Sequence, residues 1–290
     1  MTEIITHMSE ISDRYDLLFC DLWGCVHNGY TPFPDAVAAL QAFRAKGGTV
    51  ILVTNAPRPR GSVQKQLDRM GLPRDSYDDI ATSGDSARSA MFRGAVGDNV
   101  YFIGEPHDQP FFEPLALEEN PVTITQVPLD QAEGIVCCGP FDPLTDPEVN
   151  RPDFLYAKQK GLKLLCANPD IVVDRGESRE WCAGALARLY TEMGGESLYF
   201  GKPHPPIYDL ARRRTAALGK DISDALTLCV GDGIITDIQG AVGEDLDSLF
   251  ITGGLAAKET ETRTQPETQA LKRYLSDTGF TPTYSIGFLR

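Results

Sequence analysis

Gly231-Asp232-Gly233-Ile234-Ile235-Thr236-Asp237 decides how this chain is read. It follows the apolar run Leu226-Thr227-Leu228-Cys229-Val230, which reads as a buried strand. The strand therefore ends in a glycine turn carrying two carboxylates, Asp232 and Asp237. Ionised carboxylates at the end of a buried strand need a cation beside them. Hard oxygen ligands of this kind suit Mg²⁺, and open α/β sheets bind ligands at the carboxyl ends of their strands. The alternative is a polar strand-to-helix loop in which Asp237 caps the next helix.

Three other segments favour the metal reading. Leu17-Leu18-Phe19-Cys20-Asp21-Leu22-Trp23-Gly24 is a second apolar strand that ends in Asp, with Gly close behind. Thr49-Val50-Ile51-Leu52-Val53-Thr54-Asn55 is a third, ending in a hydroxyl and an amide. Gly201-Lys202-Pro203 puts a lysine in a Gly/Pro turn ahead of a helical stretch. In chain order these supply a candidate nucleophile, a hydroxyl donor, a cation and a metal carboxylate, all able to converge at one edge of a parallel sheet.

The set resembles the haloacid dehalogenase (HAD) superfamily of phosphotransferases. Asp21 matches the nucleophile of its first motif, Thr54 the second, Lys202 the third, and Asp232 with Asp237 the Gly-Asp-x-x-x-Thr-Asp fourth. Val53-Thr54-Asn55, Asn168-Pro169-Asp170 and Gly201-Lys202-Pro203 look like class IIA, the NagD-like branch, whose cap lies between motifs two and three. About 145 residues separate Thr54 from Lys202, room for a domain. The resemblance implies an α/β fold: a Rossmann-like parallel sheet core (residues 1–83 and 199–290) with an inserted α/β cap domain (84–198). It implies catalytic roles for Asp21, Thr54, Lys202 and Asp237, and a Mg²⁺ held by Asp21, the Trp23 carbonyl and Asp232. Substrate-binding candidates are Trp23, Asn55, Arg58 and Asn168. Arg58 and Arg60 follow the Thr54-Asn55 turn and either grip a substrate anion or face solvent; Asn168 either lines the cleft or closes a turn.

One position departs from the pattern. The family carries a second Asp two residues after its nucleophile, as general acid and base, and here that residue is Trp23. Losing such a group removes a contribution of about 10²–10⁴-fold in rate. His27, Asn28 and Asp237 are the candidate substitutes. Trp23 either walls the site, stacks on a flat substrate, or packs between domains. The resemblance thus implies a Mg²⁺-dependent phosphatase of a small phosphorylated metabolite, such as a sugar phosphate or nucleotide, acting through an aspartyl phosphate. The alternatives are a non-catalytic phosphate-ligand sensor and a phosphotransferase.

Composition agrees. The chain has 290 residues, 42% hydrophobic and 23% charged, ordinary for a globular protein. A net charge of −14 with no basic cluster argues against a nucleic-acid partner. No apolar run reaches membrane-spanning length, and the polar start, Met1 to Asp13, is unlike a signal peptide. The seven cysteines include no CxxC pair and sit mostly in apolar runs, so reduced thiols in a cytoplasmic protein are expected. A homodimer stays open as an assembly.

The same patterns set element expectations. Met1 to Arg14 reads as a short helix or arm. Helices are expected at Pro34 to Lys46, Ser62 to Met70, Asp153 to Lys160, Glu180 to Met193 and Pro206 to Leu218. Further strands are expected at 100–103, 122–124, 135–138, 164–166, 249–252 and 284–286. Lys258 to Gln269 reads as a mobile loop or polar helix.

Overall fold

The computed structural model describes residues 2–115, 118, 120–175 and 178–290. The chain forms two compact units. The first comprises Met1–Thr54, Gln64–Ala81 and Lys202–Arg290, the second Asn55–Val63 and Thr82–Gly201. The short stretch Asn55–Val63, assigned from sequence to the core, thus groups with the second unit.

The first unit is built on a seven-stranded sheet in the order Glu3–Ile4, Tyr284–Ile286, Asp247–Ile251, Thr227–Gly231, Leu17–Cys20, Thr49–Thr54, Asp79–Thr82. The central strands run parallel: Leu17–Cys20 pairs Cys20 with Leu52 on one side and with Val230 on the other. All four of its residues are buried, as expected of a strand covered on both faces. Helices flank it. Pro34–Ala45 starts on proline and buries Ala36, Val37, Leu40 and Phe43, and Pro205–Ala217 buries Ile207, Tyr208, Leu210 and Ala211. Because Cys20, Leu52 and Val230 share a register, Asp21, Thr54 and Asp232 all leave the sheet at one edge.

The second unit has a five-stranded parallel sheet in the order Glu196–Tyr199, Lys163–Cys166, Gly134–Cys137, Asn99–Ile103, Thr125–Gln126. Strand alternation divides its core. Ile135, Cys137, Leu164 and Cys166 meet Phe154, Leu186 and Tyr190 on one face. Val136 and Leu165 meet Met91, Phe92 and Phe111 on the other. Helices therefore cover both faces, the α/β pattern expected. A separate antiparallel pair joins Val172–Arg175 to Ser178–Trp181.

Three local expectations are corrected, and for Lys258 to Gln269 the loop alternative is found. The amino-terminal arm is only partly helical: Met8–Glu10 and Ser12–Arg14 form short helical turns, while Glu3–Ile4 extends the first sheet beside Tyr284–Ile286, drawn by a partner far along the chain. Val122-Thr123-Ile124 is not a strand; the ladder begins at Thr125, opposite Asn99, while the Val122 amide is taken by the Phe92 carbonyl. The helix expected from Glu180 starts at Ala183, because Glu180 and Trp181 pair with Val173 and Val172. Lys258 to Gln269 is mostly a run of turns, fastened by the buried Thr260 hydroxyl on the Ala256 carbonyl, and the helix Thr268–Thr278 follows it, capped by Glu267. The helix Ser83–Phe92, capped by Thr82, had no distinct sequence signal. Among the described residues no helix is long and apolar enough to cross a membrane. All seven cysteines are buried, and no disulfide joins any of them.

Candidate active site

Asp21 is the first residue past its strand, and its amide still donates to the Val230 carbonyl at 2.8 Å. The chain then folds into a compact loop: the amides of Val26 and His27 return to the Leu22 carbonyl, and the Gly24 amide donates to the His27 carbonyl. Gly24 has φ +76°, and a Cβ there would fall 2.2 Å from Asp232 Oδ2. Gly254 approaches the same carboxylate from another strand end, with a Cβ that would fall 2.0 Å away. Asp232 therefore sits in a slot that only glycines leave open, and its Oδ2 accepts the Leu255 amide at 3.0 Å.

Downstream of Asp232 the backbone makes one wide turn, Ile234–Ile238, with the Gly233 carbonyl accepting from both Asp237 and Ile238. Such widened turns recur at functional positions. This one swings the Asp237 carboxylate back under the strand end, where Oδ2 accepts the Gly233 amide at 3.0 Å. Oδ1 accepts from Lys202 Nζ at 2.6 Å, so Asp237 does more than cap a helix. The same ammonium donates to Asp21 Oδ1 at 2.5 Å. Lys202, Asp21, Asp237 and Asp232 are all buried.

The cluster holds three carboxylates and one ammonium, leaving two negative charges uncompensated in a dry setting. Its proton affinities record the strain. Burial would lower the Lys202 ammonium, but Asp21 and Asp237 outweigh it and hold it well above the ordinary 10.5. Burial raises the Asp21 carboxyl well above 3.8 against the pull of Lys202, with repulsion from Asp237 and Asp232 adding to it. Burial, then Asp237, pushes Asp232 up to about 7. A divalent cation would supply the missing charge. Ligating atoms of Asp21, Asp232 and Cys25 lie within 4.8 Å of one another, and the two carboxylates are the hard donors that Mg²⁺ takes. Among the described residues nothing donates to the Trp23 carbonyl, which leaves it open as a further ligand.

The structure thus brings together Asp21, Lys202, Asp232 and Asp237, with Thr54 at the end of the neighbouring strand. Trp23 is 41% exposed and meets the His27 ring edge-on, centroids 5.7 Å apart. Asn55, Arg58 and Asn168 belong to the second unit. There Asn55 Nδ2 donates to Asp170 Oδ1 at 2.9 Å, and Asn168 Oδ1 accepts the Asp170 amide at 3.0 Å, the turn-closing alternative for Asn168. Sequence reasoning missed Cys25 as a neighbour of the Asp21 and Asp232 carboxylates, although it lies only four residues past Asp21. It also missed Gly254 and Leu255, for which the Gly253-Gly254 pair after an apolar strand was an available signal.

Known proteins share this architecture. Residues 18–117 match the model of a haloacid dehalogenase-like hydrolase family, and residues 199–278 a HAD-hydrolase-like model. A crystal structure of a haloacid dehalogenase-like hydrolase from Brucella suis is 37% identical and superposes with TM-score 0.83, covering 99% of this chain and 100% of that one. The 5'-nucleotidase YutF of Bacillus subtilis is 26% identical over 82% of this chain and 88% of its own. A Mycobacterium tuberculosis glycerol phosphate phosphatase solved with magnesium is 25% identical, with TM-score 0.65 over 84% of this chain and 70% of that one.

Proposed function

Because this chain belongs to the haloacid dehalogenase-like hydrolases of class IIA, we propose that it is a Mg²⁺-dependent phosphatase of a small phosphorylated metabolite, the class that includes sugar phosphates and nucleotides. Its relatives include a nucleotidase and a glycerol phosphate phosphatase, which supports hydrolysis of phosphoric monoesters. The observation that carries the reading is the Lys202 ammonium shared between Asp21 and Asp237, with Asp232 in its glycine slot nearby. The second unit is the candidate cap domain.

In this mechanism an Asp21 oxygen attacks phosphorus in line as the ester P–O bond breaks, giving an aspartyl phosphate. Lys202 favours the ionised form of Asp21 and offsets charge on the phosphoryl group, and Asp237 holds Lys202 in place. Amides of the loop after Asp21 and the Thr54 hydroxyl donate to the phosphoryl oxygens. Mg²⁺ held by Asp21, Asp232 and the Trp23 carbonyl would supply positive charge against the transferring group. Water then attacks the aspartyl phosphate, releasing phosphate and restoring Asp21.

The test is phosphate release from a panel of small phosphomonoesters, with Mg²⁺ and with chelator, beside Asp21→Asn. Release that needs Mg²⁺ and disappears in the variant is expected. A folded wild-type protein that releases phosphate from no ester would overturn the reading.

A further inference from the structure

Two of the site residues stand at the ends of chain segments. Thr54 closes one segment of the first unit, and Asn55 opens the second unit. Gly201 closes the second unit, and Lys202 resumes the first. The chain neighbours of Thr54 and Lys202 therefore both belong to the second unit, and there they touch. A Cβ at Gly201 would fall 2.6 Å from Asn55 Oδ1, 2.6 Å from Pro169 Cδ and 2.7 Å from Ser83 Oγ. Without a side chain at 201 the segments can approach this closely. Asn55 is buried, and its Nδ2 donates to Asp170 Oδ1 at 2.9 Å.

Asp170 is itself held in place. Asn168 Oδ1 accepts its amide at 3.0 Å, and its carbonyl accepts the Gly184 amide at 3.1 Å. A Cβ at Gly184 would fall 2.1 Å from the Pro169 carbonyl oxygen, so the helix Ala183–Glu192 begins hard against the turn at 168–170. The stretch after Asn55 is braced in the same way. The Ala56 carbonyl accepts the Gly84 amide at 3.0 Å, and a Cβ at Gly84 would fall 2.1 Å from the Pro57 carbonyl oxygen. Each of the helices Ser83–Phe92 and Ala183–Glu192 thus meets its turn through a glycine at its second position. The hydrogen bond from Asn55 to Asp170 joins the two braced turns.

We propose that Asp170 is a positioning residue for phosphoryl transfer: by holding Asn55 against Gly201 it fixes the main chain that carries the Thr54 hydroxyl and the Lys202 ammonium. The proposal rests on the phosphatase reading above. The Asn55 amide then serves Asp170, not substrate. Lys202 donates to Asp21 at 2.5 Å and to Asp237 at 2.6 Å, and hydrogen bonds this short tolerate little displacement of the chain. A shift of about 1 Å in such groups costs on the order of 10²-fold in rate. Asp170 acts through other residues, so its loss falls on kcat more than on KM.

The experiment is kcat and KM of the Mg²⁺-loaded protein on a phosphomonoester that the wild type turns over, beside thermal melts. Asp170 is only half-buried, so Asp170→Ala removes little packing and should fold. It should lower kcat about 10- to 10²-fold and change KM less than about threefold. Asp170→Asn keeps an oxygen that accepts from Asn55, and should restore kcat to within about threefold of the wild type. Asn55→Ala should be as slow as Asp170→Ala, and the double variant no slower, because both remove one hydrogen bond. Gly201→Ala, which puts a methyl against Asn55 Oδ1, reaches the same loss by another route if Asn55→Ala fails to fold. Unchanged kcat in Asp170→Ala would overturn the proposal. So would a raised KM at constant kcat, the mark of substrate binding, or an Asp170→Asn as slow as Asp170→Ala, which would make charge the active feature. A wild type that releases phosphate from no ester would defeat the phosphatase reading instead, so the two failures are distinguishable.

Discussion

Each unit buries a charge cluster, and the two are built to opposite ends. In the second unit Arg88 pairs with Asp85 at 2.7 Å. Its remaining donors go to the carbonyls of Phe111 and Glu113, and Asp85 also accepts the Arg60 amide at 3.2 Å. Charge is balanced, hydrogen bonds are made, and the arrangement ties the segment around Phe111 to the helix Ser83–Phe92. In the first unit three carboxylates face one ammonium, so the fold is left short of positive charge. A balanced buried pair is a structural device; an unbalanced one marks a place where a ligand completes the charge.

The comparison breaks most visibly at Asp21. Asp21→Asn should cost turnover at least about 10⁴-fold while leaving the protein folded, since it removes surplus negative charge. Phosphate release and a thermal melt measure both; a large loss of stability would make the Lys202 cluster structural after all. At Arg88 the reverse is expected. Arg88→Ala should destabilise by about 3–5 kcal/mol, because it strands a buried carboxylate, whereas the paired change Asp85→Leu with Arg88→Met should be close to neutral. Denaturant titration decides it, and a mild Arg88→Ala would show that the pair is not desolvated as it looks.

The glycine slot gives a smaller effect. Gly254→Ala puts a methyl against Asp232 and should cost about 1–3 kcal/mol of Mg²⁺ binding, read by calorimetry. Unchanged affinity would mean that the slot does not shape the site.

The response to pH is spread over several pH units instead of following from one substitution. Without metal the Asp232 carboxyl is raised from 3.8 to about 7, so the protonated form is the one the fold prefers. Its contribution to stability is complete below the unfolded value and is lost as pH rises through the folded one. Metal-free protein should therefore lose stability between about pH 4 and 7 on this group's account. Mg²⁺ competes with that proton, so its affinity should rise about tenfold per pH unit at most and level off above about pH 7. Melts with and without Mg²⁺ across this range should diverge as pH rises. A constant gap would remove Asp232 from the metal site.

Much of this was legible in the chain because the signals are local. Leu17–Cys20 and Thr227–Gly231 are continuous apolar runs that only a covered parallel strand accommodates, and each is followed at once by an Asp of the buried cluster. The strands Glu3–Ile4 and Ser178–Trp181 were misread because a partner strand holds each of them, and neither shows strong periodicity of its own.

Sequence alone determined the family, the strand-end positions of Asp21, Thr54 and Asp232, and the departure at Trp23, since each depends on residue type beside a local apolar run. Only tertiary structure decided that Lys202 bridges Asp21, 181 residues away, and Asp237, that Gly24 and Gly254 close on Asp232, and that His27 and Asn28 are already engaged. Those facts are distances between groups far apart in the chain or turned toward one another by a loop, and they follow from packing and burial, which no local pattern encodes.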